Sequence, residues 1–317
     1  MALPTNTFTT YTAIGNREDL SDMIYRIDPT DTPFISGIER EKATAVTHEW
    51  QTQALASVDT ANAQLEGDDA VTIAATPTVR LKNYCQISSK VGRVTGTQQV
   101  VDHAGRDDEL AYQEMLKGLE LKRDMESILL ASQASNAGAA ATARVTGGIN
   151  AWIATNDDFD SGGSSPTASG SDGSDARNDG TQRAFTEAQL KNVFQLCWAS
   201  GGKPDTVMLG GFNKQVMSTF TGRATPTEDV KSKKIVAAVD AYESDFGTVK
   251  VVANRFQRSR DCHVLQMDMW AVAYLRKFVR NALAKTGDSE RFQILSEYAL
   301  VARNEKSSGG VYDLTTS

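Results

Sequence analysis

The feature that most constrains this chain is a long helical stretch whose apolar stripe changes sides partway. It runs over residues 105–134 and opens "GRDDELAYQEMLKG". Asp107, Asp108 and Glu109 stand in its first turn, where acids complement the helix dipole. At roughly 100° per residue, Tyr112, Met115, Leu116 and Leu119 share one side. Leu121, Met125, Ile128 and Leu129 fall on the opposite side. A helix apolar on different faces along its length is expected to pack between layers, as a spine.

Two other segments hold too little apolar surface to fold alone. Residues 1–40 form a sparse arm. Asn16 can cap a short helix through "NREDLSDMIYRI", with Asp19 at its third position. "RIDPTDTPFISGI", residues 26–38, then reads as a hinge. Asp28-Pro29 and Asp31-Thr32-Pro33 are turn and helix-start signals, and Phe34, Ile35 and Ile38 make one apolar turn. This arm has to lie on its own body or on a neighbour. Residues 45–90 read as a two-stranded excursion. Val46, His48, Trp50 and Thr52 alternate on one strand; Val79, Leu81, Asn83, Cys85 and Ile87 alternate on the other. The small, polar stretch between them would not bury itself in its own domain, and an isolated hairpin is marginal in water. It is expected to lie over another subunit.

Residues 157–180 are low complexity: Gly, Ser and Asp fill 17 of 24 positions, which predicts an exposed, mobile loop. Their acids miss the calcium-loop spacing. Patterning returns at 184–280. Thr186 with Gln189 forms a capping box, and Leu190, Val193, Phe194, Cys197 and Trp198 mark one apolar helix face ended by Gly201-Gly202. "DTVMLG" reads as a strand, and "FNKQVMSTFTG" as a helix with Val216, Met217 and Phe220 inward. "GTVKVVANRF", "CHVLQM" and "WAVAYLRKF" read as further strands, giving a compact α+β module. "RFQILSEYALVARNE" alternates Phe292, Ile294, Ser296, Tyr298 and Leu300, and is expected to return to the spine helix.

No combination of residues makes an active site. His48, His103 and His263 are scattered. "KTG" at 285–287 and "GDS" at 287–289 echo hydrolase motifs but lack their companions. "GGF" at 210–212 opens a helix after a strand, with no phosphate-binding glycine pattern around it. Cys85, Cys197 and Cys262 are isolated and odd in number, which predicts buried free thiols rather than disulfides or a zinc site. The run "ELKRDME", 120–126, reads as solvated pairing along a helix, with an intersubunit ion network as the alternative. "VKSKK", 230–234, is a small basic cluster on a chain of net charge −7 and pI about 5.1, which argues against non-specific nucleic-acid binding. No run has the roughly 18 apolar residues of a membrane span, and no signal peptide is evident, so a cytoplasmic site of synthesis and assembly is expected. An arm, an excursion, a spine and no catalytic residue point to an assembly subunit.

The chain also resembles the major head (capsid) proteins of tailed bacteriophages, which have the Hong Kong 97-type fold. The likeness runs in order through "DPTDTPFISGI", "HEWQTQAL", "NYCQISSKVGRVTGTQQVV", "LELKRDMESILL", "GGINAWIATN", "WASGGKPDTVMLG" and "LAKTGDSERFQILSEYALVARNE". It implies an α+β fold in six parts. These are an N-terminal arm at 1–40, an extended E-loop hairpin at 41–90, and a P-domain at 91–156 holding the spine helix. A mobile loop at 157–183, an A-domain at 184–280, and a C-terminal P-domain strand and tail at 281–317 follow. It implies no catalytic, cofactor-binding or metal-ligating residues, and no cofactor. The implied partners are further copies in hexamers and pentamers, with portal, scaffolding or decoration proteins beside them. DNA would be enclosed without sequence-specific contacts. The alternatives are another phage assembly protein (a tail or head-completion subunit), a hydrolase using His103 or Ser289, and a nucleic-acid-binding protein. On this reading Trp50→Ala should weaken assembly more than subunit folding.

Overall fold

The computed structural model describes residues 27–67, 69, 74–166, 172–220 and 240–317. A short helix α1 (Pro33–Gly37) leads into β1 (Glu39–Lys42). β2 (Thr47–Thr52) and β3 (Val79–Tyr84) flank a long loop; β4 (Gln86–Thr95), α2 (Gly96–Val100) and α3 (Glu109–Leu129) follow. Next come α4 (Ile149–Trp152), β5 (Asp157–Asp158), α5 (Glu187–Ala199), β6 (Thr206–Leu209) and α6 (Gly211–Met217). β7 (Ala241–Ser244), β8 (Gly247–Ala253), β9 (Cys262–Leu265), β10 (Trp270–Leu283), β11 (Ser289–Ala302) and β12 (Gly309–Val311) complete the chain. The strands form a four-stranded sheet β1-β10-β11-β4, a six-stranded sheet β5-β12-β9-β6-β8-β7 and the pair β2-β3.

The C-terminal strand organises the first sheet, as its alternation predicts. β11 runs antiparallel to β10 from Trp270↔Ala302 to Leu283↔Arg291, and antiparallel to β4 from Ser289↔Thr95 to Tyr298↔Gln86. The helix α3 lies on this sheet. Leu121, Met125 and Leu129 share one buried cluster with Phe292, Ile294, Tyr298 and Leu300. Gly92 in β4 makes room for the Phe292 ring: a Cβ there would meet it at 2.3 Å. Asp108 caps α3, its Oδ1 accepting from the Leu110 and Ala111 amides at 2.8 and 3.2 Å. Only the second of the two expected apolar faces is buried. Tyr112, Leu116 and Leu119 stay half-buried and Met115 is 50% exposed, because the sheet covers one side of the helix alone.

Three boundaries expected from the sequence shift. From Pro33 on, the arm expected over 1–40 lies on its own body. α1 and β1 belong to the core: Phe34 and Ile35 are buried, Phe34 meets the Trp270 ring edge-on at 6.4 Å, and β1 pairs in parallel with β10. The helix expected over 16–27 lies, but for Ile27, outside the described residues. "WAVAYLRKF" leaves the 184–280 module for the first sheet. Trp270, Val272 and Tyr274 face the spine cluster, while Ala271 and Ala273 meet Ala299, Val301 and Cys85 on the other face. The C-terminal tail crosses back: β12 pairs with β9, Gly309↔Val264 to Val311↔Cys262, in the six-stranded sheet.

The 157–183 segment is also tied down where it is described, contrary to the expected exposed loop. The Arg177 side chain is buried, pairs with Asp157, donates to the Ile153 carbonyl at 3.1 Å and lies 3.6 Å over the Tyr312 ring. Asp313 accepts from the Gly180 amide and from Arg260, both at 2.8 Å. Short polar side chains cannot build an apolar core, but they can gather around a buried guanidinium, which here bonds through Nη2.

In the second module α5 follows its predicted register. The Thr186 amide donates to Gln189 Oε1 at 2.9 Å, and Leu190, Val193, Phe194 and Cys197 are buried. Trp198 departs from it. It is 62% exposed and packs at the rim against Phe246, 5.5 Å between ring centres. Met217 points inward, with Val216 and Phe220 at the margin of the same cluster.

Candidate assembly interface

The β2-β3 pair forms in the register set by its alternation, Trp50↔Leu81 and His48↔Asn83 among its six pairs. Its base is fastened to the core. Trp50 donates its indole N–H to the Ala302 carbonyl at 2.8 Å and packs 5.2 Å from the Trp152 ring. Asn83 is fully buried, donating to the Leu300 carbonyl at 2.7 Å and accepting from the Gly147 amide at 2.9 Å. Trp50 is therefore a strut of the subunit itself, so its loss is expected to weaken folding as well as the assembly that the sequence reading named.

Beyond this base, every described residue from 53 to 80 is exposed. Leu55, Val58 and Leu65 are 98%, 91% and 79% exposed. Such side chains on a projecting loop make sense when another surface covers them.

The arm's inner end is held by a residue from the charge run. Glu126 is fully buried rather than solvated. Its two oxygens accept from the Phe34 and Ile35 amides at 2.8 Å each, and Asn254 Nδ2 donates to it at 2.7 Å. Burial pushes its carboxyl above the usual range against these hydrogen bonds. Elsewhere in the run, Glu120 pairs with Lys117 and Asp124 with Lys90. One signal for Glu126 was present: it sits beside Met125 and Leu129 on the apolar arc of the helix.

The residues weighed as catalytic candidates have structural surroundings and do not converge. His48 lies 3.5 Å from Glu41 beside Trp50, and His103 is half-buried against Gln98 at 2.9 Å. The Ser289 hydroxyl is buried and accepts from Arg93 Nε at 2.9 Å, with "KTG" and "GDS" forming the β10-β11 turn around Gly287 at φ 77°. "GGF" opens the seven-residue α6. The "VKSKK" cluster lies outside the described residues. All three thiols are buried and free, and burial raises Cys85 to about 11 and Cys197 to about 12.

His263 is fully buried with its Nε2 2.6 Å from Asn150 Oδ1, and Asn150 donates to Asp261 at 2.5 Å. Burial, with Arg258 and Arg177 nearby, lowers His263 to about 3; burial raises Asp261 to about 6. The signs oppose. The neutral histidine contributes stability above its ordinary pKa of roughly 6.5 that is lost as pH falls toward the folded value. Asp261 contributes stability in acid that is lost as pH rises through the folded value. The two effects oppose, and replacing the imidazole isolates the histidine's part of the acid response. His263→Gln is expected to shrink the fall in urea midpoint between pH 6.5 and 4, measured by tryptophan fluorescence; an unchanged fall would remove His263 from the acid response.

A subunit that buries the inner end of its arm and leaves the described residues of a long hairpin loop bare is suited to joining other subunits. Comparison with known proteins identifies it further. Residues 3–315 match the SU10 major capsid protein family. The major capsid protein of Escherichia phage Phieco32 is 30% identical over 349 residues, covering 98% of both chains. Among solved structures, the cyanophage A-1(L) capsid asymmetric unit gives a TM-score of 0.65 at 14% identity, over 98% of this chain and 99% of that one. A Gordonia phage Cozz chain gives 0.62 at 9% identity, over 99% and 98%. The chain belongs to the SU10 major capsid protein family: it is a structural subunit of a tailed-phage head, found in the virion, and not an enzyme. None of its described helices is long and apolar enough to cross a membrane.

Proposed function

We propose that copies of this chain assemble as hexamers and pentamers that close an icosahedral shell, in the manner of the Hong Kong 97-type fold. The observation that carries this is the loop at 53–78 on its anchored hairpin, whose described residues are all exposed, Leu55, Val58 and Leu65 among them. It serves as the E-loop, reaching over the next subunit. The four-stranded sheet with α3 corresponds to the P-domain. The six-stranded sheet corresponds to the A-domain, directed at the capsomer centre. Residues before α1 act as an arm along neighbours. Assembly takes place in the host bacterial cytoplasm, with portal, scaffolding or decoration proteins as further partners. The acidic chain, net charge −7, encloses double-stranded DNA without gripping it. Obligate interfaces of this kind bury on the order of 2,000 Å² or more.

Deleting residues 55–77 is expected to leave a folded subunit, because the described part of that stretch is exposed, and to abolish shell closure. Circular dichroism reports the first outcome and electron microscopy of sedimented material the second. Normal particles from the deletion would sink the E-loop assignment.

A further inference from the structure

On the face of the four-stranded sheet away from α3, two arginines stand directly opposite each other. The ladder between β4 and β11 pairs Arg93 with Arg291. Facing residues of an antiparallel pair have Cβ atoms about 5 Å apart, and like charges placed so repel. Other cations of this sheet and its turn have acids beside them: Lys90 meets Asp124, Arg276 meets Glu297, Arg280 meets Glu114 and Lys285 meets Glu290. Arg93 and Arg291 form no ion pair among the described residues. Their neighbours on the same face supply no acid either. Ser289 and Thr95 lie to one side, Val91 and Gln293 to the other, and Leu283 and Asn281 across β10.

Both guanidiniums are steered to one place. Arg93 donates from Nε to the buried Ser289 hydroxyl at 2.9 Å and from Nη2 to the Thr286 carbonyl at 3.4 Å. Arg291 donates from Nη1 to the Thr286 hydroxyl at 3.5 Å. The β10-β11 turn, with Gly287 at φ 77°, thus sets one residue against both side chains. All three acceptors are neutral, so they orient the two charges without offsetting either. A guanidinium has five N–H donors, and most of those on Arg93 and Arg291 are uncommitted among the described residues. Arg93 is exposed and Arg291 half-buried, so a solute can reach both.

We propose that Arg93 and Arg291 together bind a phosphate group. The pair carries two positive charges side by side, so a single carboxylate would leave one unmatched. A phosphate dianion brings two charges and several acceptor oxygens to two planar forks. Bound there, it turns a repulsive pair into a bridge between β4 and β11. Free phosphate and the phosphates along a DNA backbone share this chemistry.

Melting temperatures in sodium chloride and in sodium phosphate, at equal ionic strength and above neutral pH, test the site. Phosphate stabilises folded proteins generally by its exclusion from their surface, so the variants are the reference. The parent should gain about 2–4 °C more from phosphate than Arg93→Gln or Arg291→Gln does. In chloride, Arg93→Glu should melt above the parent, because it turns the repulsive pair into an ion pair, and phosphate should give it no extra gain. Equal gains in parent and variants, or an Arg93→Glu variant that melts below the parent in chloride, would overturn the site. Fluorescence anisotropy with a short labelled DNA duplex names the source of the phosphate. Retention at physiological salt that Arg93→Gln abolishes assigns the site to the DNA backbone; no retention, beside the gain from phosphate, assigns it to the free ion.

Discussion

Replacing Glu126 with alanine should cost about 3–5 kcal/mol, a large fraction of the roughly 5–15 kcal/mol that holds a typical domain together. The carboxylate has no solvent to replace it. It accepts from the Phe34 and Ile35 amides and from Asn254, all within 2.8 Å, at a point where three separated segments meet. Alanine leaves two helix-start N–H groups and a buried amide unpaired, and each such donor costs about 1–3 kcal/mol, with less than full additivity. α1 has only five residues, so it cannot hold itself. Once it loosens, the Phe34 ring leaves Trp270. The expected result is a lowered urea midpoint with a changed tryptophan signal. Glu126→Gln keeps Oε1, which serves Phe34 and Asn254, but sets an amide donor against the Ile35 N–H; it should cost less, about 1–2 kcal/mol. An alanine variant as stable as the parent would show that the inner arm is held by its apolar contacts alone.

What could be read in the sequence divides along physical lines. The β2-β3 hairpin and α5 are half-buried elements whose burial follows a fixed period, and period is local information; β11 is buried on both faces from Ile294 to Ala302, but its larger apolar side chains Phe292, Ile294, Tyr298 and Leu300 still alternate onto the spine-helix cluster. β10 was recognisable as a strand but not placeable. Its first five residues are buried on both faces and its next residues are exposed on both, so neither half alternates in a way that names a partner. β12 is Gly-Gly-Val, too short to carry a pattern, and its position comes from pairing with a strand more than 40 residues away. Arg177 was hidden in a low-complexity stretch, where composition predicts exposure and only the distant Tyr312 and Asp157 reveal burial. The bare loop was legible because polarity without a helix or strand pattern over so many residues is itself a pattern.

Trp50→Ala should cost the subunit about 3–4 kcal/mol. The indole is part-buried against Trp152 and borders both the spine cluster and the small-residue cluster on the other face of the sheet. Removing it opens a cavity between two layers and leaves the Ala302 carbonyl without its donor. Trp50→Phe separates these effects: the ring packing on Trp152 survives and only the hydrogen bond is lost, for about 1 kcal/mol. Urea midpoints of the three proteins should therefore fall in the order parent, phenylalanine, alanine. Particle yield should follow the same order for a different reason. The strut sets the angle at which the hairpin leaves the body, and a loop of more than 20 residues amplifies a small change at its base. If the alanine variant kept its stability and lost its particles, Trp50 would belong to the contact between subunits rather than to the subunit. If it lost stability and still gave normal particles, the loop would be positioned by its neighbour's surface and not by its own base.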